Sequence, residues 1–187
     1  MGDGDIRQLP YPPIWVNQYI KEELLKYDFN NIITLPSTPS AIDDVYKNTT
    51  GSYPDLAIQY DRLFRLRRTP FYPMKCEQLL YYVYSTQAEK IYDAMIIISQ
   101  LLDRSDAAAE DLNRWAAAKQ SGSSPILDTA VPIPYNVYFH DIKVYQLEEA
   151  RDLGELGAIR GLTLNKLIIE YDYHVKEPIG ATEDRYR

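Results

Sequence analysis

Two histidines, His140 and His174, hold the most versatile chemistry in this 187-residue chain. An imidazole can bind a metal ion or move a proton. Both lie in stretches that alternate apolar and polar residues as strands do, and pairing of those strands would let the two rings approach each other as a partial metal or acid–base site. A zinc centre needs three or four ligands, and no third or fourth is spaced to complete one here. The carboxylate pairs Asp43-Asp44, Glu148-Glu149 and Glu22-Glu23 are adjacent residues. Their side chains diverge on a helix or strand, so they do not form the facing acid and base of a glycosidase, and they read as solvated surface. No glycine-rich phosphate loop, nucleophile elbow or HExxH motif occurs. The expectation is a protein with no catalytic residue, no bound metal and no cofactor.

The one concentration of charge is Arg62, Arg65, Arg67 and Arg68, interleaved with Leu63, Phe64 and Leu66. It reads equally as a contact to an acidic partner or DNA, and as the polar face and last turn of an ordinary strand. The net charge of −7 argues against a general nucleic-acid binder, which needs a surplus of lysine and arginine on some face. Seventeen tyrosines stand against four phenylalanines. Tyrosine covers a large area while keeping a polar end at a wet boundary, which suits interfaces, and it also suits strand faces. A lone cysteine, Cys76, excludes an intrachain disulfide and a cysteine-based zinc site, fits a reducing compartment, and reads as a small buried apolar residue. The chain has no long apolar run, and its start, MGDGDIRQ, lacks the regions of a secretory signal. A cytoplasmic site of synthesis with no membrane partner is expected.

The elements that must position these residues follow from periodicity. Residues 1–12 form a polar arm, and prolines at 10, 12 and 13 suit the start of a helix over 13–27, with Val16, Ile20, Leu24 and Tyr27 on its apolar face. A brief strand at Ile32-Ile33-Thr34-Leu35 precedes a loop over 36–53. Alternation predicts a strand from Asp55 to Arg67, broken on its apolar side by Arg62. A proline-rich turn at 69–73 leads into a central strand from Glu77 to Thr86. From Gln87 the period changes, and Ile91, Met95, Ile98 and Leu102 mark a helix to about Arg104. The alanine-rich DAAAEDLNRWAAAKQ continues or restarts it. After a Ser/Gly/Pro-rich loop at 120–134, strands are expected over Val137–Leu147 and 162–175, joined by a long hairpin connection. In the last strand Thr163, Asn165, Leu167, Ile169, Tyr171, Tyr173 and Val175 make the more apolar side. The tail at 177–187 is charged. Helices on one face of hairpin-paired strands make this one α+β domain over 13–176, mostly antiparallel.

With this order laid out, the chain resembles the tail terminator, or tail-completion, proteins of long-tailed bacteriophages. The matching pieces are PIWVNQYIKEELLKY, YPDLAIQYDRLFRLR, PMKCEQLLYYVYSTQAEKIYDAMIIISQLL, VYFHDIKVYQL and LTLNKLIIEYDYHV, which cover most of 13–175. The loop at 36–53 and the extension at 106–120 depart from the pattern. The resemblance implies a homo-hexameric ring in the virion that ends tail-tube polymerisation, touches the tube and the sheath where one exists, and joins the neck or connector. DNA would only pass through its lumen, which an acidic chain suits. The interface residues expected are Arg65, Arg67, Arg68 and Tyr72 at the first hairpin, and Glu148, Glu149, Arg151 and Arg160 in the later connection. The rivals are a head-completion or connector adaptor and, from another class, a small enzyme with His140 and His174 in a pocket between sheet and long helix.

Overall fold

The computed structural model describes residues 12–35, 54–68, 74–104, 106–120, 137–152 and 162–175, and the side chains of these except 62–68, 120, 146–152 and 175. The N-terminal arm before Pro12, the loop at 36–53, positions 121–134 of the second loop, the turn at 69–73, the connection at 153–161 and the C-terminal tail lie outside the described residues. The elements are α1 (Pro12–Leu24), β1 (Ile32–Thr34), β2 (Leu56–Arg68), β3 (Lys75–Ser85), α2 (Ala88–Leu102), α3 (Asp106–Gln120), β4 (Val137–Asp152) and β5 (Thr163–Val175). The strands form one sheet in the order β1-β2-β3-β5-β4. Every pairing is antiparallel except that of β1 with β2. This is the expected α+β architecture, with β3 in the middle.

All three helices pack on one face of the sheet. Alternate residues of the two inner strands point to them: Leu79, Tyr81 and Val83 of β3, and Leu167, Ile169, Tyr171 and Tyr173 of β5, all buried. The stripe expected on α2 is the one that meets them, with Ile91, Ala94, Met95, Ile98 and Leu102 buried. Each such aliphatic side chain removed from water contributes on the order of 2 kcal/mol. Most, not all, polar groups in this layer have partners: among the described residues Gln18 Oε1 and Asn165 Oδ1 are buried without one. The Tyr81 hydroxyl donates to Asn17 Oδ1 at 2.9 Å, and the hydroxyls of Tyr171 and Tyr173 donate to the buried Glu77 carboxylate at 3.0 and 2.7 Å. Burial pushes the Tyr81 phenol well above its ordinary pKa.

α1 is joined to α3 by an aromatic and ionic cluster. Trp115 lies 5.6 Å from both Trp15 and Tyr19, its indole N–H donates to Glu22 at 2.9 Å, and Lys119 pairs with Glu22 at 2.8 Å. Chiefly through burial, the Tyr19 phenol is pushed up to about 12.

Two boundaries differ from the sequence reading, the ends of α1 and β4, and a third, between α2 and α3, takes one of the two forms it left open. α1 stops at Leu24, because Lys26 and Tyr27 donate to carbonyls three residues back and the chain unwinds. Phe29, 3% exposed, then supplies the buried aromatic, and Tyr27, expected on the apolar face, is 56% exposed. The alanine-rich segment restarts as α3: the Asp103 N–H closes α2 on Ser99 O, and Asp106 Oδ1 accepts the Ala107 N–H. β4 runs on to Asp152, five residues beyond the expected end at Leu147. It has 16 residues opposite the 13 of β5, and three register shifts absorb one extra residue each.

Candidate interaction surface

His140 and His174 do come together. Tyr138 pairs with His174 in register, and His140, two residues on and in the irregularity between Phe139 and Asp141, presents its ring on the same face. His140 Nε2 and His174 Nδ1 are 2.6 Å apart, and the ring centroids are 4.8 Å apart, so each nitrogen points almost straight at the other ring. That geometry holds one proton between two nitrogens, and a metal between them would need both rings to swing. Tyr138 lies against both rings, at 5.2 and 5.6 Å. Among the described residues no group of three or more histidine, cysteine or carboxylate side chains is placed to hold a metal ion. The pair sits on the sheet face away from the helices, because its neighbour Tyr173 is the residue that faces them. A pocket between sheet and long helix therefore cannot use it.

That second face is otherwise a ladder of cross-strand contacts. The Tyr84 hydroxyl donates to Gln59 at 3.1 Å, Lys166 stands 5.6 Å over the Tyr82 ring, and Gln78 donates to Glu170. At one end it is apolar, where Leu35, Ala57, Tyr84 and Leu162 are buried together. At the sheet's edge, Asn113 of α3 uses its side-chain amide as a strand would: it donates to Phe139 O at 2.7 Å and accepts from Phe139 N at 2.8 Å.

The surface that stands out lies on the other side of the helical layer. Among the described residues five large apolar side chains are exposed; of these, Tyr27 (56%) and Ile96 (56%) share one groove where the chain just after α1 meets the outer side of α2, and Tyr92 (55%) is exposed on the same helix. Tyr92 and Ile96 are one helical turn apart on a common side. The groove is open, of about 330 Å³, and lined by Tyr27, Asp28, Phe29, Lys90, Asp93, Ile96 and Ile97. A second hollow of about 180 Å³ shares Tyr27 and Ile97 with it. Lys90 is committed to this wall, donating to Asp28 O and standing 5.1 Å over the Phe29 ring. The Arg104 guanidinium at the far hollow is held by Asp111 at 2.9 Å. The carboxylates of Asp28 and Asp93 are exposed at the groove and form no ion pair among the described residues.

The interface residues expected from the sequence lie elsewhere. Arg65, Arg67 and Arg68 are in β2, with Arg67 opposite Cys76 and Arg68 opposite Lys75, at the sheet end remote from the groove. Cys76 is half-buried on β3, less enclosed than its expected role as a core residue. Glu148, Glu149 and Arg151, placed by the sequence reading in a loop, belong to β4; Glu148 pairs with Lys166 and Arg151 with Leu164. Tyr72 and Arg160 lie outside the described residues. The groove was missed because it is assembled from two helices distant in sequence. One signal existed: the run Met95-Ile96-Ile97-Ile98 carries more isoleucine than a single buried stripe can take in. No helix among the described residues is long and apolar enough to cross a membrane.

Comparison with protein-family models and with curated proteins gives no match.

Proposed function

We propose that the chain is a non-catalytic assembly protein of a phage virion, a tail-terminator-like ring subunit at the head-proximal end of the tail. The observation that carries this reading is the open groove lined by the exposed Tyr27 and Ile96 together with Phe29 and Ile97, with Tyr92 exposed one helical turn before Ile96. Apolar side chains gathered in one place are what a protein contact covers. The order of elements supports it further: a leading helix, a short strand, a hairpin feeding a helix on the sheet, and two long closing strands are the plan the resemblance implies. The subunit would join its neighbours in a hexameric ring, meet the tail tube on one side and the neck on the other, and let DNA pass without binding it.

Light scattering after size exclusion, over a wide concentration range, tests the reading. A closed oligomer near the hexamer mass is the expected result, and a monomer at every concentration overturns it. Added to polymerising tail tubes, a terminator stops growth, whereas a neck adaptor leaves tube length unchanged.

A further inference from the structure

The groove also indicates what covers it. Its walls are largely apolar, its one cation, Lys90, is already committed within the chain, and its two carboxylates, Asp28 and Asp93, form no ion pair among the described residues. An occupant must therefore bring apolar side chains together with cationic ones. The chain contains one stretch of that kind, Arg62-Leu-Phe-Arg-Leu-Arg-Arg68 at the end of β2.

The two surfaces cannot meet within one molecule. The groove lies where β2 begins: Asp28 and Phe29 directly precede Asn30 and Asn31, whose N–H groups are held by Asp55, and α2 leaves β3 nearby at Ser85. Arg68 is twelve residues further along a strand, roughly 40 Å away at the rise of an extended chain. Complementary surfaces at opposite ends of a rigid sheet fit a neighbour's end, and repetition of such a contact closes a ring or grows a filament.

We infer that the Arg62–Arg68 stretch of a second copy docks in the Tyr27–Ile96 groove, its apolar side chains on Tyr27, Phe29 and Ile96 and its arginines on Asp28 and Asp93. The inference rests on the assembly reading and names the contact behind it.

The test uses the full chain in three forms: wild type, an acid-side variant with Asp28→Lys and Asp93→Lys, and a base-side variant with Arg65→Glu, Arg67→Glu and Arg68→Glu. Masses are followed by light scattering against concentration, with circular dichroism to verify the fold. Each variant alone is expected to self-associate about ten- to hundredfold more weakly than wild type. An equal mixture of the two is expected to recover association, since every junction then carries opposite charges. If a reversal costs the fold, Asp28→Asn with Asp93→Asn, and Arg67→Gln with Arg68→Gln, should show a smaller loss in the same direction. A wild type that assembles while either variant assembles equally well, or a mixture that stays apart, overturns this contact and leaves the assembly reading standing. A wild type that never leaves the monomer overturns both.

Discussion

The two sides of α2 carry similar side chains in opposite surroundings. Ile91, Met95, Ile98 and Leu102 turn inward and lie beneath the helical layer, whereas Tyr92 and Ile96, one residue out of phase with that stripe, stand more than half exposed. The inner side is closed on every flank by β3, β5 and the two other helices. The outer side has a single wall, the end of α1, and its groove is open. Apolar content alone therefore does not assign a residue to the core; the supply of facing elements does. In a monomer the outer residues add little to stability, and the contact proposed above would cover them.

Three measurements break or sharpen that contrast. The largest effect is expected from Ile98→Ala on the inner side, where the side chain is fully buried. Deleting its outer carbons leaves a cavity, and urea unfolding should show a loss of about 2–5 kcal/mol; a loss under about 1 kcal/mol would mean that α2 is loosely held. The second concerns alkali. The folded pKa of the Tyr19 phenol, and on the second face that of Tyr84, is raised mainly by burial to about 12 from an ordinary 10.0. A raised folded pKa means that the folded state keeps a proton the unfolded chain releases. That contribution is whole below pH 10 and is lost as pH climbs to 12, so melting temperature should fall across this window; a flat profile there would show that the phenols are open to solvent. The smallest effect on stability belongs to the outer side. Tyr92→Ser with Ile96→Ser should shift unfolding by no more than about 0.5 kcal/mol per site, and thermal melts check it. A loss of several kcal/mol would make this side part of the core after all.

The inner half of this contrast was legible in the sequence because it is periodic. Period-2 alternation marked β2 and β5 nearly to their ends, the aromatic and β-branched run LLYYVY marked β3, and the stripe Ile91, Met95, Ile98 and Leu102 on α2 is buried as read, with Ala94 added. Legibility failed where the period is interrupted. β4 gains a residue at each of three irregularities, so the alternation that would have carried it past Leu147 is scrambled. α1 keeps its apolar spacing through Tyr27, but the backbone unwinds first and Phe29 takes the inner place. The approach of His140 to His174 was anticipated from the pairing of their strands, and the alternation along β5 already set His174 on the side opposite the apolar one. The groove belongs to neither class, since it exists only once Tyr27 and Ile96, 69 positions apart, are neighbours.

The clasp of Asn113 on Phe139 has a consequence for the life of the protein in a crowded cell. β4 is the last strand on its side of the sheet, and such a margin offers hydrogen-bonding groups to any extended segment nearby, from a nascent copy of the same chain to a denatured stranger. By taking the Phe139 amide and carbonyl for itself, a helix of the same molecule occupies the first rung of that template. Edge-to-edge addition of strands, the step by which fibrils grow, is thereby hindered where the strand begins, and the irregularities further along make the remainder a poor mould. In the assembly proposed above, copies of this subunit would then find each other through side chains, by contacts that can dissociate and form again until the geometry closes.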